Sequence, residues 1–211
     1  MKKYKVKPRF FVITTCILAS ALFLGFHYSG FWEDEKTLFA QGVQNKKIVM
    51  TARAYISNPN LRYEDNYYDG GYPPEDIGVC TDVVWKGFQG IGVNLKELVD
   101  NDIEQNFQAY EDVISVHDAN IDFRLVPVLE VFFQRQAEVL TNDPYDLLAW
   151  QPGDIVVFES SHIAIVSNLT NIWGRPYIIQ HGKDPAAEED RLVAADGMEI
   201  SGHFRWPLIQ Q

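Results

Sequence analysis

One thiol and two imidazoles have the types and the spacing for covalent chemistry in this chain. Cys80 is one of two cysteines in 211 residues. It lies in Gly78-Val79-Cys80-Thr81-Asp82-Val83-Val84, where a Pro- and Gly-rich loop turns into a helical pattern. Downstream, His162 opens the apolar run Ile163-Ala164-Ile165-Val166, and His181 follows Ile178-Ile179-Gln180. A thiol attacks as thiolate, and its pKa, about 8.5 when free, falls at a helix N-terminus or beside an imidazolium. A first-turn position also aims backbone N–H groups at the place where a tetrahedral oxyanion forms. His162 opens a strand expected to pack on that helix and meet the sulfur. A third polar group must then hold the ring and its tautomer, and His181 ends the next strand. This is the layout of a cysteine peptidase or amidase.

Each residue also has a plainer reading. A histidine at a strand edge is commonly just solvated or hydrogen-bonded. His203 in Ser201-Gly202-His203-Phe204 reads as structural, and His117 as a surface residue. Asp82 either touches substrate or His162, or is a first-turn acid that suits the helix dipole. Asp122 with Arg124 reads as an ion pair supporting the site or as a surface pair worth little. Glu188-Glu189-Asp190 reads as a solvated run. No His-Glu-x-x-His or Cys-x-x-Cys spacing occurs, so a metal hydrolase built on His162, His181 and His203 finds no support, and no metal or organic cofactor is expected.

The elements that must position these groups change in type along the chain. Residues 46–57 have apolar Ile48, Val49, Ala52, Tyr55 and Ile56 near helical spacing. Residues 58–78 read as a loop with Asn-Pro, Asp-Gly-Gly and Pro-Pro turn chemistry, crowded by Tyr63, Tyr67, Tyr68 and Tyr72. A helix is expected from Cys80 to Gln89. Gly87 inside it implies a close-packed neighbour, and Gly90 and Gly92 end it. A second helix starts at Asn94, with Glu97 in capping-box spacing. A third starts near Pro127, carries Leu140 on its apolar face and ends at Asn142-Asp143-Pro144. After residue 150 the texture becomes strands: 155–158, 162–167, 177–180, and one or two within 198–206. Short links imply antiparallel pairing, and helices followed by strands imply an α+β fold.

The N-terminus differs in kind. Lys2, Lys3, Lys5, Lys7 and Arg9 precede a 17-residue uncharged run, Phe10 to Phe26. Ala19-Ser20-Ala21 fits a signal-peptidase site, yet the apolar run continues past it, which favours an uncleaved signal-anchor over a cleaved signal peptide. Cys16 within the run reads as a buried apolar cysteine. The expected organisation is a basic tip and transmembrane segment over 1–29, a polar stalk over 30–45, and one domain over 46–211. By the positive-inside bias that domain lies outside the cytoplasm, membrane-anchored or, after signal cleavage, secreted. Setting aside the five basic residues of 1–29 leaves 13 basic and 29 acidic residues, a formal charge of −16, which argues against nucleic acid as a partner. An exported thiol without a partner in its own domain points to a reactive site or to an intermolecular disulfide, and its plainer reading is a buried, inert cysteine.

Pro152-Gly153-Asp154-Ile155-Val156-Val157-Phe158 followed by His162-Ile163-Ala164-Ile165-Val166 resembles the Gly-Asp strand and His strand of the NlpC/P60 cell-wall peptidases. Tyr68, Gly70 and Gly71 ahead of Cys80 resemble the Tyr and Gly-Gly before the nucleophile there. Gly78 to Val84, Asn120-Ile121-Asp122-Phe123-Arg124-Leu125-Val126-Pro127, the Pro-Gly-Asp-Ile-Val run and Ile200-Ser201-Gly202-His203-Phe204-Arg205 resemble the DUF1287 family, which is grouped with the same papain-like proteins. The resemblance covers roughly residues 46–207. It implies a papain-like fold, helices packed on an antiparallel sheet, with Cys80 as nucleophile, His162 as base and His181 as orienting group. Tyr68, or Tyr67 beside it, would assist the Cys80 N–H at the oxyanion. The chain departs from the NlpC/P60 pattern in having Val-Cys-Thr-Asp for Asp-Cys-Ser-Gly, and His181-Gly182-Lys183-Asp184 where DUF1287 relatives have His-Asn-Ile-Gly.

The expected function is a monomeric extracytoplasmic cysteine hydrolase cleaving an amide or peptide bond, with cell-wall peptide as substrate class. The rival is a catalytically idle module of the same fold that holds wall peptide or a partner protein.

Overall fold

The computed structural model describes residues 35–193 and 197–209. The transmembrane segment expected over 1–29 lies outside the described residues, among which no helix is long and apolar enough to cross a membrane. Contacts divide the chain after Gly42. Residues 35–42 are helical, as are 43–45, so the expected polar stalk is helix over its described part.

In the unit that begins at Val43, helix α1 covers residues 43–56 and buries Ile48, Val49 and Ala52. The stretch read as loop holds two short strands, β1 (Arg62–Tyr63) and β2 (Ile77–Gly78), paired in parallel with Tyr63 beside Gly78. Two residues cannot show a periodicity, so the turn chemistry around them hid this pair. Helix α2 (Cys80–Gln89) follows at once and buries nearly every side chain. Helix α3 (Leu95–Asn106) is capped by Asn94, whose side chain accepts from the Glu97 N–H. Helix α4 (Val126–Gln136) begins with Pro in its first turn but stops before Leu140. The chain instead forms strand β3 (Glu138–Val139), held by its ladder with the last strand rather than by local propensity.

The sheet continues with β4 (Ile155–Phe158), β5 (His162–Thr170), β6 (Pro176–Gln180), β7 (Ala187–Glu189) and β8 (Ile200–Arg205), in the order β3-β8-β4-β5-β6-β7. Every neighbouring pair is antiparallel, as the short links required. The fold is α+β, with four helices and this sheet among the described residues. β7 corrects the reading of Glu188-Glu189-Asp190 as solvated. Glu188 pairs with Arg53 of α1 at 2.6 Å and accepts from Ser167, while Glu189 accepts from Gln180 at 2.6 Å. Partners on three other elements turn an acidic run into a strand.

The alternation of side chains sorts the sheet into two faces. Ile155, Val157, Ile163, Ile165, Ile179 and Phe204 pack with the helices in the larger core. Val156, Phe158, Ala164, Val166 and Ile178 pack under Trp150 and Leu192 on the other side. α2 lies against β5 on the first face. A Cβ at Gly87 would come within 2.7 Å of Ile165 Cδ1 and 3.2 Å of Ile48 Cγ2, so the close neighbours implied by that glycine are β5 and α1. Gly87→Ala therefore costs about 1–3 kcal/mol despite alanine's better helix propensity, because the packed sheet leaves no room. Chemical denaturation of the variant should show a lowered midpoint at unchanged slope; a raised midpoint would show that α2 has slack over β5.

Candidate functional site

Cys80 is the first residue of α2, after Val79 in extended conformation. What fixes this helix start is Asp82, which is fully buried. Its carboxylate accepts from the Val79 N–H at 2.7 Å, from Trp85 Nε1 at 2.6 Å, and from Arg124 Nε and Nη2 at 3.0 Å each. Arg124, also buried, donates a further bond to Asn66 O at 2.8 Å, and its guanidinium lies 5.2 Å from the Tyr68 ring centroid. Asp82 thus spends its lone pairs within the protein and is placed to hold the start of α2 rather than to touch a ligand. Arg124 pairs with Asp82 and not with Asp122. Asp122 instead holds His117 Nδ1 at 2.7 Å and the Asp118 N–H at 2.8 Å, so His117 is not a free surface residue.

The thiol is 6% exposed. Burial pushes its pKa up to about 11, outweighing the backbone N–H groups of Ile163, Thr81 and Cys80 that face the sulfur and pull the other way. The low pKa expected at a helix start is therefore reversed by desolvation. The folded thiol keeps its proton, and the stability this lends, present below the ordinary value of 9.0, is lost as the pH rises toward about 11.

The two strand histidines fall on opposite faces. β5 and β6 pair Ile165 with Ile179, and continuing that register two steps sets Ile163 opposite His181. Ile163 is the residue whose backbone meets the Cys80 sulfur, and it faces the helices. His181 is fully buried on that side. Its ring stands edge-on to Tyr63, 5.3 Å between centroids, and Tyr63 pairs with Gly78, two residues before Cys80. Burial, and next the neighbouring Cys80, hold the Tyr63 hydroxyl above the ordinary phenol range. His181 Nε2 lies 3.2 Å from Asp184 Oδ1, which also accepts from the Tyr63 N–H at 2.7 Å. The His181 contact first, then the Tyr63 N–H, keeps the Asp184 carboxyl below its usual range. Nδ1 of His181 is buried with no hydrogen-bond partner among the described residues.

His162 pairs across the hairpin with Phe158 and shares its face, beneath the smaller core. Its Nε2 is hydrogen-bonded to Gln180 Oε1, and Gln180 Nε2 donates to Glu189. A Cβ on Gly182 would lie 3.1 Å from His162 Cε1, so the ring underlies the turn that follows His181. By register His162 shares the face of Phe158, and His181 the face of Ile163, the residue whose backbone meets the thiol.

The tyrosines also divide. Tyr68, over Arg124, keeps a buried hydroxyl with no hydrogen-bond partner among the described residues, whereas Tyr67 engages Asp118 at 3.2 Å and accepts from Asn120 at 2.8 Å. His203 is structural as expected: Nδ1 meets Thr141 O at 2.7 Å, Nε2 meets Asp154 at 3.0 Å, and the ring stacks on Trp150 at 3.6 Å. Arg205 closes that knot with two bonds to Asp154. Among the described residues no group of three or more His, Cys, Asp or Glu side chains is arranged to hold a metal ion.

Sequence reasoning gave no site role to Tyr63 or Asp184, and it paired Arg124 with Asp122 where the structure pairs it with Asp82. Asp184 had a visible signal, a carboxylate three residues after His181 in a turn. The partner of Arg124 had none, since Asp82 lies 42 residues away.

Comparison with solved structures yields no match. Among known sequences, the chain is 34% identical over 178 residues to an uncharacterized protein, YijF, of Escherichia coli strain K12, across 79% of this chain and 83% of that protein. The family model described as "Domain of unknown function (DUF1287)" matches residues 49–206, which takes in Cys80, His162, His181 and Asp184. The chain therefore belongs to the DUF1287 family.

Proposed function

We propose that this protein is an extracytoplasmic, papain-like cysteine hydrolase of the NlpC/P60 kind that cleaves an amide bond in cell-wall peptide. The observation that carries the reading is the grouping of Cys80, His181 and Asp184. A thiol sits at a helix start, an imidazole with a free buried Nδ1 stands on the same face of the sheet, and a carboxylate holds its other nitrogen. With the Nε2 proton donated to Asp184, Nδ1 carries the lone pair.

In this reading Cys80 Sγ attacks the scissile carbonyl carbon as its proton passes to His181 Nδ1. The Cys80 and Thr81 N–H groups at the start of α2 receive the oxyanion, and the Tyr68 hydroxyl assists. The C–N bond breaks and His181 returns the proton to the leaving amine. Water, deprotonated by His181, then cleaves the thioester to free the acid and restore the thiol. Because burial holds the thiol neutral, proton transfer accompanies attack instead of preceding it. The N-terminal basic and apolar run supports anchoring of the domain at a membrane, outside the cytoplasm.

The depth of Cys80 favours one rival, a catalytically idle module that binds wall peptide or a partner protein. One experiment separates the two. The full chain is incubated with purified wall peptides and newly released amino groups are counted, with Cys80→Ala in parallel and near-UV dichroism as the folding control. The hydrolase reading expects turnover that falls by about 10³-fold or more in the variant. Equal activity in both chains rejects Cys80 as nucleophile. Binding without turnover establishes the idle module.

A further inference from the structure

The β5–β6 turn and the segment before Trp150 carry large apolar side chains into solvent. Leu148 is 92% exposed, Ile172 89%, Trp173 70% and Tyr145 70%. They belong to one surface: a Cβ on Gly174 would lie 3.6 Å from Leu147 Cδ1, and the Arg175 guanidinium stands 5.8 Å from the Tyr145 ring centroid. Such a cluster is costly to leave in water and marks a contact surface.

Its place in the unit indicates what it meets. β5 spans nine residues, so the turn lies about 26 Å from the His162 end, where Cys80 and His181 sit. The start of α1 is at the apolar end. A Cβ on Gly153 would lie 3.0 Å from Asn45 Cα, and Gln44 bonds Pro207 O at 3.0 Å. The other end of α1 reaches the site, with Tyr55 hydroxyl on Ile77 O at 3.4 Å. The chain arriving from the basic and apolar N-terminal run thus enters this unit at its apolar end. Trp and Tyr with aliphatic neighbours suit the headgroup boundary of a bilayer. Asp143, Asp146 and Asp190 nearby suit zwitterionic rather than anionic lipid.

We propose that the surface formed by Tyr145, Leu147, Leu148, Ile172 and Trp173 rests on a zwitterionic lipid bilayer and turns the Cys80 end away from it. This rests on the anchoring part of the reading above. The test uses the full chain in phosphatidylcholine vesicles, with and without brominated acyl chains, beside Trp173→Phe. Subtracting the variant's emission isolates Trp173. Flotation with the vesicles together with about twofold loss of that emission in brominated lipid is expected for a ring at the boundary. Flotation with no loss rejects the surface contact while leaving the anchor intact. Failure to float rejects the anchor and this inference together. Emission that shifts with protein concentration and ignores bromine means a second copy covers the surface, which also overturns the proposal.

Discussion

His181→Ala should lower kcat/KM for wall-peptide hydrolysis by about 10²–10⁴-fold, the range that a positioned general base supplies. His162→Ala should lower it by less than about 10-fold, because alternation along β5 puts that side chain on the face opposite Ile163. The contrast is demanding, since strand order alone would nominate His162. His162 opens the strand that α2 packs upon, but it pairs with Phe158 beneath the smaller core, while the register sets His181 opposite Ile163, which packs with Cys80. Asp184→Asn supplies the third arm. An amide that turns its NH₂ toward Nε2 favours the tautomer with the proton on Nδ1, where the lone pair is needed. Activity should fall with KM nearly unchanged, because Asp184 acts on the base and not on bound substrate. Steady-state rates on the purified variants, with near-UV dichroism as the folding control, settle the assignment. A silent His162→Ala enzyme beside a fully active His181→Ala enzyme would restore His162 as the base and refute the face assignment.

Asp82→Ala carries the largest expected loss of stability. The substitution strips Arg124 of its carboxylate while leaving the guanidinium buried, and it orphans Trp85 Nε1 and the Val79 N–H. Removing one partner of a buried ion pair costs about 3–5 kcal/mol, since the remaining charge keeps its desolvation penalty without its counter-charge. For a unit of this size that lowers Tm by roughly 10 °C. Replacing both partners, Asp82→Leu with Arg124→Met, should recover much of the loss, because no charge is then left in the interior. Thermal melts of the three chains followed by circular dichroism measure this. A melt of the single variant superimposable on the parent's would mean that Asp82 does not hold the start of α2. Where the single variant stays folded, slower hydrolysis at unchanged thiol content would show the same carboxylate positioning the nucleophile.

Much of the architecture was legible in local patterns. Cys80 at a helix start follows from turn residues giving way to an apolar helical face, and the antiparallel order follows from three- and five-residue links between β-rich runs. Gly87 announced a close packing partner. The short strands β1, β3 and β7 were not legible. Two or three residues cannot display a period, and their pairing is supplied by partners far along the chain, such as Arg53 for Glu188 and β8 for β3.

The site divides along the same line. Composition and spacing determined that one thiol outside the N-terminal apolar run, two strand-edge histidines and no metal motif make up the chemistry on offer, and local sequence placed each on its element. Tertiary structure decided which histidine shares the face of Ile163, what partners Asp82 and Arg124, and that burial raises the thiol pKa against the pull of the helix start. The reason is parity. Side chains alternate across a strand, so a shift of one residue in the β5–β6 register exchanges the faces of His162 and His181 relative to their partners. That register is set by how Ile165 and Ile179 pack beneath α2, a contact between segments that no stretch of sequence contains by itself.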